Sequence, residues 1–244
     1  MSTNPMHQFI VYRIGPEISL GNVDISFTNA SLFMFISAFA IISVFFAGTK
    51  RKVIVPTKIQ LLTELSYTLV SKMISDTAGS KAKPYFPFIF SLFMFVLFCN
   101  MLGMLPYSFT VTSHIIVTFA LAAIIFIGVT IIGFVNHGVG YLKLFIPSGV
   151  PVVLLPIIVI IEMISYLARP VSLSVRLFAN MMAGHTMLKV FGGFVISLGI
   201  IGGWLPLSFT VALTALEVLI AFLQAYVFAI LTCIYLNDAL NLNH

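Results

Sequence analysis

The chain alternates between long runs of apolar residues and shorter stretches that carry most of its charges. The longest uncharged runs cover 30–47, 88–106, 114–135 and 193–216. Each is long enough, or nearly long enough, to cross a hydrocarbon core about 30 Å thick as a helix of about 20 residues. The pattern therefore predicts a protein built from membrane-spanning helices.

The first predicted span, 30–47, is followed at once by the basic residues Lys50, Arg51 and Lys52. Basic residues concentrate on the cytoplasmic side of membrane proteins, so this span is predicted to run from the outer face to the inner face. Residues 1–29 then form an outer-face segment. We expect no secretory signal there, because the basic region of such a signal is missing.

The next two predicted elements differ in where their polar residues fall. Residues 56–78 carry apolar side chains at helical spacing and polar side chains on the other faces, which predicts an amphipathic helix on the inner membrane surface. A soluble hairpin between spans is the alternative interpretation. Residues 84–135 are predicted to form a helical hairpin, with 84–106 running outward and 114–135 returning inward.

Two segments near the carboxy terminus are longer than a single crossing requires. From 150 to 191 the pattern predicts one helix of about 63 Å, about twice the length of a perpendicular span. This helix must tilt or bend, and bending has its lowest energetic cost at prolines and glycines. These are Pro156, Pro170, Gly184, Gly192 and Gly193. A glycine-rich turn over 199–206 leads to a last helix over 207–240, so residues 150–240 are predicted to form a long, tilted antiparallel hairpin.

Counting crossings gives an all-α integral membrane protein, a single membrane domain over 1–244. It has five membrane-embedded helices and one surface helix, with the amino terminus outside and the carboxy terminus inside. The composition agrees, because 60% of the residues are hydrophobic and only 8% are charged, against about 25% charged in soluble domains.

Cys99 and Cys233 fall within predicted helices and are expected to be packing residues. We expect no disulfide, metal site or cofactor, and no nucleic-acid partner, since the basic residues cluster between 50 and 83.

Polar residues form a stripe inside the predicted hairpin. At 100° per residue, six side chains fall within about 40° of Arg176 on one helix face. They are Glu162, Ser165, Arg169, Ser172, Arg176 itself and Asn180. His185 points to the opposite side of a straight helix unless Gly184 permits a bend. On the last helix Thr210, Glu217, Gln224 and Tyr235 share a face, and two facing stripes predict a hydrated path.

The chemistry of arginine restricts the role of Arg176. Its guanidinium does not deprotonate in proteins, so it cannot pass protons along. As a fixed charge it makes an approaching protonated carboxyl release its proton. Glu162, Glu217 and His185 can titrate and are candidate relays on either side. The alternative is that the charges only pair with one another, Glu162 with Arg169 and Glu217 with Arg176.

Two stretches carry a resemblance to a known family. Residues 169–185 read RPVSLSVRLFANMMAGH and residues 219–228 read LIAFLQAYVF. Together they closely resemble the a subunit of F-type ATP synthases, of the alphaproteobacterial and mitochondrial type, and the resemblance extends over essentially the whole chain.

The resemblance implies roles for particular residues of the two stripes. Arg176 corresponds to the arginine that faces the rotating ring of c subunits and separates two aqueous half-channels. Asn180 and Gln224 match its polar neighbours, and His185 and Glu217 match the ionisable pair of the outer half-channel. Glu162 and Arg169 match positions near the inner side, and Ser172 is also expected to lie on the proton path.

The implied function is that of a stator subunit, in which protons enter past Glu217 and His185 and neutralise a ring carboxylate, so that proton flow drives rotation and ATP synthesis. The expected partners are the c ring, b-type peripheral stalk subunits, the rest of the complex, membrane lipid and protons. The expected location is a bacterial inner membrane or the mitochondrial inner membrane. The chain has no phosphate-binding glycine loop of the Walker type, so ATP chemistry is expected elsewhere in the complex.

Two other classes of protein compete with this interpretation. A self-contained proton-coupled transporter often carries an internal repeat, and the region around Arg176 has no counterpart in the first half of the chain. A structural membrane anchor would leave the two polar stripes unexplained.

Overall fold

The computed structural model describes residues 9–17, 19–20, 23–24, 26–50, 56–105, 108–146 and 154–241. Parts of four predicted features lie outside these ranges. They are residues 1–8, 18, 21–22 and 25 of the outer-face segment, the basic residues Arg51 and Lys52, the last residue of the helix predicted over 84–106, and the first residues of the segment predicted over 150–191.

Helices make up most of the described chain. They are α1 (Asn29–Thr49), α2 (Lys58–Thr77), α3 (Phe86–Gly103), α4 (Ile115–His137), α5 (Leu155–Gly202) and α6 (Trp204–Leu240). Short 3-10 helices cover Ser80–Tyr85, Val111–Ser113 and Gly138–Phe145, and a two-residue antiparallel ladder joins β1 (Ser19–Leu20) to β2 (Val23–Asp24). Among the described residues, five helical segments are long and apolar enough to cross a membrane. The predicted all-α, multi-pass integral membrane fold is confirmed.

Threonine side chains determine where the first two helices begin. Thr28 accepts a hydrogen bond from the backbone N–H of Ser31, and Thr57 accepts one from the backbone N–H of Gln60. Capping of this kind satisfies N–H groups that have no partner within the first helical turn.

The surroundings of α2 change along its length. Leu61, Leu62 and Leu65 are exposed near its start, whereas Val70 and Ile74 near its end are buried in the core. The first half of α2 therefore presents an exposed apolar surface, and the second half anchors the helix to the rest of the protein.

The turn between the last two helices differs from the prediction. The helix predicted to end at 191 continues through Gly192 and Gly193 to Gly202, and α6 begins at Trp204 rather than at 207. The residue with non-helical dihedral angles inside α5 is Gly199, at φ 62° and ψ −162°. Glycine adopts this left-handed conformation without a steric penalty, so one residue starts the reversal. Pro206 is tolerated in the first turn of α6 because its missing N–H breaks no helical bond there.

α6 lies at the centre of the described fold and packs against α3, α4 and α5. Small residues spaced four apart line its buried face. They are Ala221, Ala225, Ala229 and Cys233, all with no exposed surface. Small side chains let membrane helices approach closely. Asn100 of α3 donates a hydrogen bond to the carbonyl of Ala221 at 3.2 Å, so a buried polar contact joins α3 to α6.

Candidate functional site

Three polar contacts join α5 to α6 at successive levels of the hairpin. Arg169 meets Asp238, Asn180 meets Gln224, and His185 meets Glu217. As the first residue number of each pair rises the second falls, which is the register of two antiparallel helices. The hairpin therefore brings polar residues that are far apart in sequence into an ordered series.

The level farthest from the turn holds a charged pair. Nη1 of Arg169 lies 3.0 Å from Oδ2 of Asp238, and each side chain keeps only about a quarter of its surface exposed. The guanidinium also lies over the rings of Tyr166 and Tyr235, at 5.5 and 5.2 Å from their centroids. Such cation–π contacts stabilise a partly desolvated guanidinium.

This pair corrects the alternative in which Arg169 pairs with Glu162. Arg169 bonds to Asp238 instead, a residue that the sequence reasoning did not select. One signal for it existed. Asp238 is the only acidic residue after Glu217, and it lies three positions after Tyr235, on the same side of a helix.

A buried hydroxyl cluster supports the same level of the hairpin. The hydroxyl of Tyr166 lies 2.7 Å from Oγ1 of Thr130 and 3.0 Å from the hydroxyl of Tyr141. A Cβ atom built on Gly133 would lie 2.3 Å from the Tyr141 ring, so only glycine admits that ring. Sequence reasoning missed the cluster because its members come from α4, the 3-10 segment and α5.

The middle level is an amide pair. Nδ2 of Asn180 donates a hydrogen bond to Oε1 of Gln224 at 3.2 Å. Gln224 is buried, and its Nε2 has no hydrogen-bond partner among the described residues. Asn180 is exposed, so the pair connects the interior of the hairpin to its outward face.

Arg176 occupies that outward face without a carboxylate partner. It is exposed, as are Ser172 and Asn180 one turn away on either side. Within the described residues, no salt bridge or hydrogen bond joins Arg176 to another side chain. Its positive charge acts electrostatically on Tyr235 of α6. The alternative in which Arg176 pairs with Glu217 is wrong, because Glu217 lies at the level of His185. Glu162, half-buried, lies two turns before Arg169 on the same helix.

The level nearest the turn holds the two ionisable residues of the predicted outer path. Nδ1 of His185 lies 3.5 Å from Oε1 of Glu217, and their side chains are 11% and 5% exposed. This is an ion-pair distance without hydrogen-bond geometry, and neither carboxyl oxygen of Glu217 has a hydrogen-bond partner among the described residues. A proton on either residue would therefore stabilise the contact.

Gly184 makes the approach of His185 and Glu217 possible. A Cβ atom at this position would lie 2.7 Å from Oε1 of Glu217. Gly184 stays within the continuous helix α5. The helical periodicity required a bend at Gly184 to bring His185 toward the stripe. In the structure, this glycine instead provides space for the Glu217 carboxyl.

A cavity of about 820 Å³ reaches His185 from the side of the amino-terminal segment and the end of α3. Its polar lining residues include Tyr12, Asn29, Ser108, Lys189 and Thr214. Its size and lining would admit several water molecules. His185 therefore lies between this cavity and the buried carboxyl of Glu217.

His114, near the same end of the hairpin, packs against an aromatic ring. His114 stacks on Phe109 with ring centroids 5.0 Å apart. Burial lowers the pKa of His114 from its ordinary value of 6.5, because desolvation disfavours the charged imidazolium. Across the described ranges, no group of three or more His, Cys, Asp or Glu residues could hold a metal ion.

One protein-family model and several known proteins are similar to this chain. The family model described as ATP synthase A chain matches residues 31–237. The chain is 80% identical over 244 residues to ATP synthase subunit a of Pelagibacter ubique, with both chains covered completely. It is 56% identical over 250 residues to ATP synthase subunit a of Chelativorans sp., again with both covered completely. It is 55% identical over 247 residues to that of Rhizobium rhizogenes, covering 99% of this chain and 98% of the relative. The resemblance seen in the sequence is thereby confirmed, and the chain belongs to the ATP synthase A chain family.

Proposed function

We propose that this chain is the stator subunit of the membrane sector of a rotary ATP synthase. In this proposal two proton half-channels approach Arg176 from opposite sides of the membrane, and a ring of c subunits turns against α5 and α6. Membership of the ATP synthase A chain family supports the general role. The positions of the ionisable residues on the hairpin support the finer mechanism.

The observation that carries the proposal is the unpaired, outward-facing guanidinium of Arg176 between two paired levels of the hairpin. A permanent charge inside the hydrocarbon region costs at least about 2.5–3.5 kcal/mol. Arg169 is compensated by Asp238, whereas Arg176 has no such partner in the described part of the chain. A carboxylate on a neighbouring subunit would supply the missing negative charge.

The outer half-channel begins at the cavity beside His185. Protons pass from the water in this cavity to His185 and Glu217, whose side chains lie 3.5 Å apart. From there the path continues past Gln224 and Asn180 to the exposed face of α5. A ring carboxylate that stops at this face takes up the proton and, once neutral, enters lipid at little electrostatic cost.

The inner half-channel lies on the other side of Arg176. Glu162, Ser172 and the Arg169–Asp238 pair line this part of α5 and α6. A protonated ring carboxyl that arrives there meets water and the field of Arg176, both of which favour the ionised carboxylate. Arg176 cannot carry the proton itself, so it blocks a direct leak between the two paths.

The energy comes from the proton-motive force, at about 2.3 kcal/mol per elementary charge per 100 mV. ATP chemistry takes place in another part of the complex, held to this subunit by b-type stalk subunits. The amino terminus lies outside and the carboxy terminus inside. The basic residues after α1 and around α2 support this orientation, since such residues concentrate on the cytoplasmic side.

Purification in native lipid and site-specific cross-linking test the proposal together. A cysteine at Ser172, on the exposed face of α5, is expected to form a disulfide with a cysteine placed beside the ring carboxylate. A cysteine at Thr68, exposed on α2, provides the matched control and should not cross-link to the ring. The native Cys99 and Cys233 are buried and do not interfere. Isolation of the chain as an active proton carrier, with no ring or ATPase sector attached, would overturn the proposal.

A further inference from the structure

Thr110 connects the segment between α3 and α4 to the proposed proton path. It is buried, and its Oγ1 lies 3.0 Å from Nε2 of His185. The same oxygen lies 3.2 Å from the carbonyl oxygen of Gly103. One threonine hydroxyl therefore touches both the end of α3 and the imidazole of α5.

The single proton of this hydroxyl determines which way the hydrogen bonds run. Gly103 is the last residue of α3, so its carbonyl has no partner within the helix and needs an outside donor. Thr110 supplies its proton to that carbonyl. Ser108 also reaches the carbonyl at 2.9 Å but has a closer acceptor in Leu105, at 2.7 Å, and a carbonyl oxygen can accept two hydrogen bonds.

With its proton committed to Gly103, the Thr110 oxygen can only accept a hydrogen bond from His185. A neutral imidazole carries one proton, on Nδ1 or on Nε2, and the partner of one nitrogen selects the tautomer. We infer that Thr110 is a positioning residue that holds neutral His185 as the Nε2–H tautomer, leaving the Nδ1 lone pair directed at Glu217. The inference rests on the proposed role of His185 and Glu217 in proton transfer.

This arrangement makes one proton-transfer step possible between the two residues. The O–H bond of a protonated Glu217 breaks, an N–H bond forms at Nδ1, and the products are a carboxylate and an imidazolium. Nδ1 and the nearer oxygen, Oε1, are 3.5 Å apart, close enough for the transfer after a small movement. In the product, Nδ1–H donates to the Glu217 carboxylate while Nε2–H still donates to Thr110. The opposite tautomer has no lone pair on Nδ1 and cannot accept this proton.

The position of Thr110 is itself restrained. A Cβ atom at Gly103 would lie 2.8 Å from Cγ2 of Thr110, so the threonine packs tightly against the end of α3. The neighbouring Thr112 is equally buried, but its hydroxyl has no hydrogen-bond partner among the described residues. Two threonines of one short segment thus differ in whether their hydroxyl touches His185.

Three variants of the assembled ATP synthase in membrane vesicles test the inference. Thr110→Val keeps the shape of the side chain but removes the acceptor, Thr110→Ser keeps the acceptor, and Thr112→Val is the matched control. ATP-driven proton pumping is normalised to the amount of assembled complex, and the rate in H₂O is compared with that in D₂O. We expect Thr110→Val to slow pumping about fivefold, the effect of one lost hydrogen bond, and to raise the solvent isotope effect. Thr110→Ser and Thr112→Val should match the wild type.

Each outcome has a defined meaning. If Thr110→Val pumps normally while Glu217→Gln is impaired, the inference is wrong and the proposed function stands. If Glu217→Gln also pumps normally, the proposed proton path itself fails. If Thr110→Ser is as slow as Thr110→Val, the hydroxyl is not the cause and the inference is wrong. Should Thr110→Val lower assembly, Thr110→Ala removes the acceptor without crowding and decides between the same outcomes.

Discussion

Arg169 and Asp238 form a charged pair across the α5–α6 hairpin, with 3.0 Å between Nη1 and Oδ2. The rings of Tyr166 and Tyr235 lie against the guanidinium, and the Tyr166 hydroxyl bonds to Thr130 and Tyr141. The pair therefore links α6 to α5 and, through Tyr166, to α4. Arg176, about 10 Å farther along α5, has no carboxylate partner among the described residues.

Removing one partner of the Arg169–Asp238 pair should destabilise the complex more than removing both partners. Asp238→Asn leaves the partly buried Arg169 charge uncompensated and should destabilise the assembled complex by about 1–2 kcal/mol. The double variant Arg169→Gln with Asp238→Asn should recover most of that loss. Thermal unfolding of the purified complexes measures both. Equal stability of the wild type and Asp238→Asn would show that the pair does not stabilise the complex.

Gly184→Ala should impair coupling by displacing a carboxyl group. The added methyl would meet Oε1 of Glu217 at 2.7 Å, so the Glu217 side chain must move away from His185. We expect ATP-driven proton pumping to fall about tenfold, because small displacements of proton-transfer groups have large effects on rate. Gly192→Ala is the control, since a Cβ atom there meets nothing within 4 Å. Equal pumping rates in the two variants would contradict the proposed geometry.

Glu217→Gln removes the buried titratable group of the proposed outer path while keeping its size. We expect ATP-driven proton pumping to slow about a hundredfold, in the range seen when a general acid–base group is removed. Glu64→Gln makes the same change on the exposed surface of α2 and should pump normally. A rate in Glu217→Gln equal to that in Glu64→Gln would exclude Glu217 from the path.

His114 should make the protein less stable in mildly acidic solution. Burial lowers the pKa of this imidazole in the folded state from its ordinary value of 6.5, so below that pH the unfolded chain binds the proton first. Stability therefore has its full value above about pH 6.5 and declines as the pH falls toward the folded-state pKa. In His114→Gln the decline should be smaller, as measured by melting temperatures from pH 7.5 to pH 5. Identical pH dependence in both proteins would argue against this desolvation.

The membrane helices could be predicted from the sequence because backbone polar groups in lipid must be bonded internally, and apolar runs of about 20 residues achieve this as helices. The stripe that contains Arg176 could be predicted too, since helical spacing alone places its members on one face. The turn at Gly199 could not be located, because glycine permits a left-handed conformation without requiring it. Gly192 and Gly193 carry the same residue type and stay helical.

Pairing across the hairpin was the other part that the sequence did not determine. A helical wheel gives the face of Arg169 but not the register of α6 against α5, and a shift of one turn would place a different residue opposite it. That register selects Asp238 rather than Glu162. Thr110 was missed for a related reason, since an uncharged residue between helices has no periodicity and acquires meaning only through its contact with His185.

The central claim is that Arg176 separates two proton paths and faces a carboxylate of a partner subunit. Proton-driven ATP synthesis by the assembled Arg176→Ala complex tests it most directly, with Arg13→Ala in the amino-terminal segment as the control. We expect Arg176→Ala to assemble, to make no ATP, and to let protons leak through the membrane sector, while Arg13→Ala makes ATP normally. ATP synthesis by Arg176→Ala at the rate of the control would contradict the account.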